Sequence, residues 1–167
     1  MKKIIILFLV VLFTGSITGL AQDNVVLKAG ISMINAVPKQ FFGTWSVMSS
    51  QVSTDSPKTF AKTTMDLWNL RRTHNVIELR NPITGAVAEI YLEDVTGNEI
   101  TFTHYEKEGN TYIKESVKLN LNENSFTGTN ELNLRTVRRD ENGKKIEDKK
   151  NAVYSIKGSK LSGSGIF

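Results

Sequence analysis

Among the side chains able to do chemistry, one constellation stands out. A two-residue turn at Gly109-Asn110 would set His104 directly opposite Glu115 on an otherwise apolar strand face, with Asn130 on the same face of the following strand. Cross-strand partners sit about 5 Å apart at Cβ. A carboxylate at that distance favours the charged imidazole, and such a pair could orient the polar head of a ligand. A pair that satisfies itself at a wet end of the fold, with no ligand, is the alternative. Phe102, two residues before His104, would add apolar wall. Trp68 on an earlier strand would line a pocket or simply belong to the core. The same His104 and Glu115 would suit the acid/base pair of a hydrolase or isomerase. That reading is the least favoured, because no Gly-x-Ser-x-Gly elbow accompanies them.

Other chemistry finds less support. Phosphate-binding and dinucleotide-binding glycine motifs are missing. His74 and His104 are the only histidines, neither has a partner at metal-ligand spacing, and cysteine is absent, so no metal and no cofactor is expected. Glu89 and Glu93 alternate along a strand as paired glycosidase acids can, but a solvated outer face accounts for them. The run Arg138 to Lys150 alternates in sign around a turn. It reads as a solvated hairpin arm, with anion or partner binding as the minority view.

The elements that would position these residues are short strands. From Phe41 onward, apolar runs are separated by turn clusters at 81–85, 96–98, 108–110, 122–125 and 140–143. That spacing marks an all-β sandwich or barrel. A one-residue slip would move every side chain to the other face, so correct turns must keep the apolar residues together. A four-residue loop at Pro82–Gly85 sets Leu79 against Ala88 and Ile77 against Ile90. A three-residue loop at 96–98 sets Leu92 against Phe102. The Gly109-Asn110 turn pairs Ile100 with Leu119 and Phe102 with Val117, and a turn at Glu123-Asn124 pairs Leu121 with Phe126. Five successive strands then share one apolar face. The last hairpin fits less well: an Asn142-Gly143 turn pairs Leu132 with Val153 and turns Tyr154 and Ile156 outward. A bulge or a longer loop would repair it. With further strands near 45–52, 65–72 and 145–157, the count reaches about eight, enough for a small closed up-and-down barrel. From Phe41 onward a helical turn is expected only within 55–64, while Val25 to Val37, apolar without a clean period, could be a short helix, an extended arm or part of a linker.

Lys2 and Lys3 precede an apolar run from Ile4 to Phe13, and small residues lead to Ala21. This is the layout of a signal peptide over 1–21. The apolar run is too short to span a membrane, which takes about 20 residues, and no cysteine follows for a lipid anchor. The expectation is an exported chain, periplasmic or secreted, without an integral anchor after cleavage. An N-terminal arm would cover 22–40 and a barrel domain 41–167. Loss of Lys2 and Lys3 removes two charges from a formal +4. The remainder implies no nucleic-acid partner.

The stretch from Val37 to Trp45, ending in Gly43-Thr44-Trp45, resembles the opening of the calycin barrels: lipocalins, fatty-acid-binding proteins and avidins. The resemblance implies structural roles for Gly43, at the entry to the first strand, and for Trp45, sealing the closed end of a lipocalin-like barrel. In lipocalins a basic residue covers that tryptophan, and Arg135, Arg139 and Lys157 are the candidates. The interval from Val52 to Met65 is too short for the two-helix lid of fatty-acid-binding proteins. The implied function is carriage of a small apolar or amphipathic ligand, contacted by His104, Glu115, Asn130, Phe102 and Trp68. An envelope protein-interaction module with a filled barrel is the alternative.

Overall fold

Burial alternates along the strands with the two-residue period of a sheet that has one wet face, as in Thr111–Asn122, where Glu115, Val117, Leu119 and Leu121 are buried and the residues between them are not. The computed structural model describes residues 33–163 and 165–166. The expected signal peptide and most of the expected arm lie outside the described residues. A single helical turn, α1 (Met33–Ala36), and a 3-10 turn (Lys39–Phe41) lead into β1 (Gly43–Thr54). There follow β2 (Thr63–Thr73), β3 (Val76–Arg80), β4 (Val87–Thr96), β5 (Glu99–Glu108), β6 (Thr111–Asn122), β7 (Ser125–Arg139), β8 (Lys145–Ser162) and a short β9 (Gly165–Ile166). Strands β1 to β8 each pair antiparallel with the next, and β8 pairs back onto β1, closing the ring. The fold is an all-β, up-and-down barrel. Strand β9 adds a parallel pair to β2.

Most registers are those the turns imply: Ile77↔Ile90, Leu79↔Ala88, Ile100↔Leu119, Phe102↔Val117 and Leu121↔Phe126. Two hairpins differ. Between β4 and β5 the loop is Gly97-Asn98, one residue shorter than expected, with Thr96 facing Glu99. A bulge between Leu92 and Asp94 absorbs the difference, so Leu92 still faces Phe102. Gly97 permits the tighter turn because its φ of 61° lies in the left-handed region. Between β7 and β8 the loop has five residues, 140–144, because Arg139 faces Lys145. Asp140 holds it, its Oδ1 accepting from the N–H of Asn142 at 2.9 Å and of Lys144 at 2.8 Å. The longer loop moves β8 by one residue. Leu132 faces Ala152, and Tyr154 and Ile156 turn inward. Residues 55–62 make only a turn, with Phe60 buried beneath it.

Aromatic rings fill the end of the barrel where β1 begins. Trp45, Trp68, Phe41, Phe42, Phe102 and Phe126 are all at most 2 % exposed. Trp45 lies 5.1 Å from Phe126 between ring centroids, and Trp68 stacks on Phe126 at 5.9 Å. A Cβ at Gly158 would overlap the Phe126 ring, so glycine there makes the room the ring occupies. Ile34 and Val37 are buried in the same core, and Arg72 donates to Asn35 Oδ1 at 2.6 Å. The Trp45 indole N–H donates to the Phe41 carbonyl at 3.0 Å. The cation over its ring is Lys160, 5.1 Å from the centroid and donating to the Gln40 carbonyl at 2.8 Å. This corrects the choice among Arg135, Arg139 and Lys157. Strand β8 is longer than its hydrophobic pattern indicates, and sheet closure brings Lys160 opposite Trp45. Gly43 has a φ of 126°, and a Cβ there would strike the backbone of Ser162 and Gly163. Gly43 thus sits where a side chain has no room, and Trp45 is fully buried.

Candidate functional site

Above the aromatic floor, alternation along β5, β6 and β7 continues inward but the residue types change. Asn130 follows Gly128 and Phe126 on the inner face of β7, and Glu115 precedes Val117 on that of β6. Glu115 is 6 % exposed and Asn130 5 %. The Asn130 Nδ2 donates to Glu115 Oε1 at 2.6 Å, while Asn130 Oδ1 is buried without a hydrogen-bond partner among the described residues. An unpaired buried acceptor is costly to a fold and calls for an explanation.

Further acids share this interior. Asp66, two residues before Trp68 on β2, is held by the Asn81 side chain at 2.6 Å and the Leu67 N–H at 2.8 Å, with the Trp68 side chain adding a further hydrogen bond. Asn81 in turn shapes the β3–β4 loop, its Oδ1 accepting from the N–H of Ile83 and Thr84. Glu106, two residues after His104, is half-buried on β5. Burial pushes the Glu115 carboxyl up to about 7; the Asn130 hydrogen bond opposes the rise, and the charges of Asp66 and Glu106 add to it. Burial also raises Asp66 against its three hydrogen bonds. It raises Glu106 too, where the His104 charge works the other way.

His104 stands opposite Glu115 in the backbone register, as the Gly109-Asn110 turn requires. The expected side-chain pair is not formed. The carboxyl of Glu115 is bonded by Asn130, and His104 Nδ1 lies 3.1 Å from the Glu89 carbonyl on β4. The pairing of β4 with β5 runs only from Tyr91↔Thr103 to Thr96↔Glu99. Beyond Tyr91 the Glu89 carbonyl faces β5 without a ladder partner, and the half-buried imidazole takes that place. Phe102 and Trp68 do come together, 6.5 Å apart, but as part of the packed floor. Glu89 and Glu93 are both exposed.

Asp66, Asn81 and Glu106 are the site residues that sequence reasoning missed. A signal existed for two of them. Alternation from Trp68 backward points Asp66 inward, and alternation from His104 forward does the same for Glu106. Among the described residues, no group of three or more His, Asp or Glu is arranged to hold a metal.

A concavity of about 500 Å³ lies toward the outer face of β5–β8. Its exposed side forms two rows straight across the strands: Tyr105, Lys114, Asn133, Asn151 and Lys107, Tyr112, Arg135, Lys149. Lys107 and Arg135 sit over the Tyr112 ring at 5.3 and 4.6 Å, Lys114 sits over Tyr105 at 5.8 Å, and Glu147 faces Arg135 at 3.6 Å. These cations already have partners within the sheet. On the arm beyond, Lys145 pairs with Glu147 and Lys150 with Asp148.

Fold and interior together define a class: an eight-stranded antiparallel barrel with an aromatic floor and an acid–amide layer above it. Compared with protein-family models, curated proteins and solved structures, the chain matches none of them.

Proposed function

We propose that this protein is an exported carrier of calycin type, which holds a small amphipathic molecule with its polar head at Glu115 and Asn130 and its apolar body toward Phe102 and Trp68. The observation that carries the reading is the buried Asn130 Oδ1, which lacks a partner beside a carboxyl group kept in an apolar barrel. Burying an ionisable group costs several kcal/mol. A fold that retains one with hydrogen-bonding capacity to spare is built like a ligand site, where few polar groups stand in an apolar wall. The Gly43-Thr44-Trp45 opening, the buried Trp45 and the Lys160 cation over its ring support the calycin resemblance. The signal-peptide layout of residues 1–21 supports export.

The protein-interaction reading has one observation in its favour: Trp68, Phe102 and Phe126 pack against one another and fill the lower barrel. Native mass spectrometry of the protein from its own source separates the two. A carrier shows a bound small mass that is lost when Glu115→Gln and Asn130→Ala are combined. Retention of that mass by the double variant overturns the site. A spectrum of bare chain favours the filled barrel.

A further inference from the structure

Resting on the carrier reading, we infer that the head of the ligand is an organic ammonium, drawn in because the Asp66–Glu106–Glu115–Asn130 layer offers buried acceptors and negative charge. Asn130 Nδ2 is engaged by Glu115, and Asn81 Nδ2 by Asp66. The Tyr154 hydroxyl donates to the Ala61 carbonyl at 3.1 Å, and the Gln51 side chain bears on the Tyr154 oxygen. His104 Nδ1 faces the Glu89 carbonyl, which can only accept, so that nitrogen carries a proton and spends it there. What is left over is Asn130 Oδ1, nine-tenths buried and unpartnered, and Asp66 Oδ2, with Gln51 Nε2 on β1 the one donor in the same condition among the described residues. An incoming carboxylate or phosphate meets three acids of its own sign. An N–H-bearing cation meets its complement.

Electrostatics point the same way. The charges acting on Glu115 are those of Asp66 from β2 and Glu106 from β5, both of its own sign. Facing groups from the other packed strands are His104 on β5, the neutral Asn130 on β7 and Tyr154 on β8. A cation placed among them relieves the repulsion and favours the ionised carboxyl. Proton and ligand therefore compete for Glu115, so binding weakens as the pH falls through the neutral range.

Calorimetric titration of the exported protein with octylammonium, octanoate and octanol at pH 8 and pH 5.5 tests this. Octylammonium is expected to bind best, more weakly at pH 5.5. Glu115→Gln should bind it at least about tenfold more weakly at pH 8, as when one partner of a buried charged contact is removed, and should lose most of the pH dependence. Asn130→Ala provides an independent variant, and thermal melts report whether each remains folded. Octanoate or octanol bound as tightly as octylammonium, with little pH effect, overturns the ammonium inference and leaves the carrier standing. Binding of none of the three overturns both.

Discussion

Glu115 is held in a position that works against stability at neutral pH. Its folded-state value near 7, against an ordinary 4.5, means that the folded chain keeps this proton more tightly than the unfolded one. The resulting advantage is fully present below pH 4.5 and is lost as the pH rises to about 7. A shift of this size corresponds to roughly 3 kcal/mol. Glu115→Gln, which keeps an acceptor and a donor but no charge, should therefore be more stable than the parent at pH 8 and should flatten the stability profile between pH 4.5 and 7. Urea unfolding at several pH values checks this; a variant less stable than the parent at pH 8 would contradict it. Trp45→Ala should cost about 3–5 kcal/mol, the range for emptying a large aromatic core site, and a loss under about 1 kcal/mol would show that the floor repacks around it. At this scale the sequence was half legible. The Gly109-Asn110 turn placed residues 104 and 115 opposite each other. Which side chain bonds Glu115 depended on where β4 parts from β5, and no local pattern records that.

The hairpins are legible where the turn chemistry is local. Gly97 and Gly109, with φ of 61° and 56°, open two-residue turns, and so do His74 and Glu123, with φ of 56° and 48°. Each is followed by asparagine. The left-handed conformation costs an L-residue about 1 kcal/mol that glycine avoids. Glu123→Gly should accordingly stabilise the barrel by up to about 1 kcal/mol. Chemical denaturation measures it, and a loss of stability would mean that the Glu123 side chain contributes more than its backbone costs. One hairpin was misjudged and one was left open between a bulge and a longer loop, for different reasons. Between β4 and β5, a shorter turn and a bulge cancel, so the correct partner for Leu92 followed from the wrong loop. In the β7–β8 hairpin, the Asp140 side chain caps a longer loop and overrides the Asn142-Gly143 signal.

At the scale of the whole molecule, closure is what makes the interior. Strand β8 covers the edges of both β7 and β1, and its inward residues Tyr154, Ile156 and Gly158 complete the wall beside Asn130 and Phe126. A chain truncated after Asn151 should lose the ring, expose two sheet edges and self-associate. Sedimentation velocity would report that, and a truncated chain that stayed monomeric and melted cooperatively would show that the barrel holds without the part of β8 that pairs with β1. Eight strands and their meander were readable from turn spacing. The acid–amide layer was readable only in part, because Asp66 and Glu115 become neighbours only when the sheet curls and brings β2 across from β6.

That closure also sets an order of events in time. Trp45 finds its neighbour Lys160 more than a hundred positions along the chain, and Ile34 and Val37, buried in the same core, come earlier still. Contacts between such distant segments form late and slow the search for the native state. The barrel therefore cannot shut while the chain is still being synthesised; it stays open until residues near 160 exist. Under the export proposed above, a polypeptide that passes a membrane pore as a thread before it folds is served by that delay.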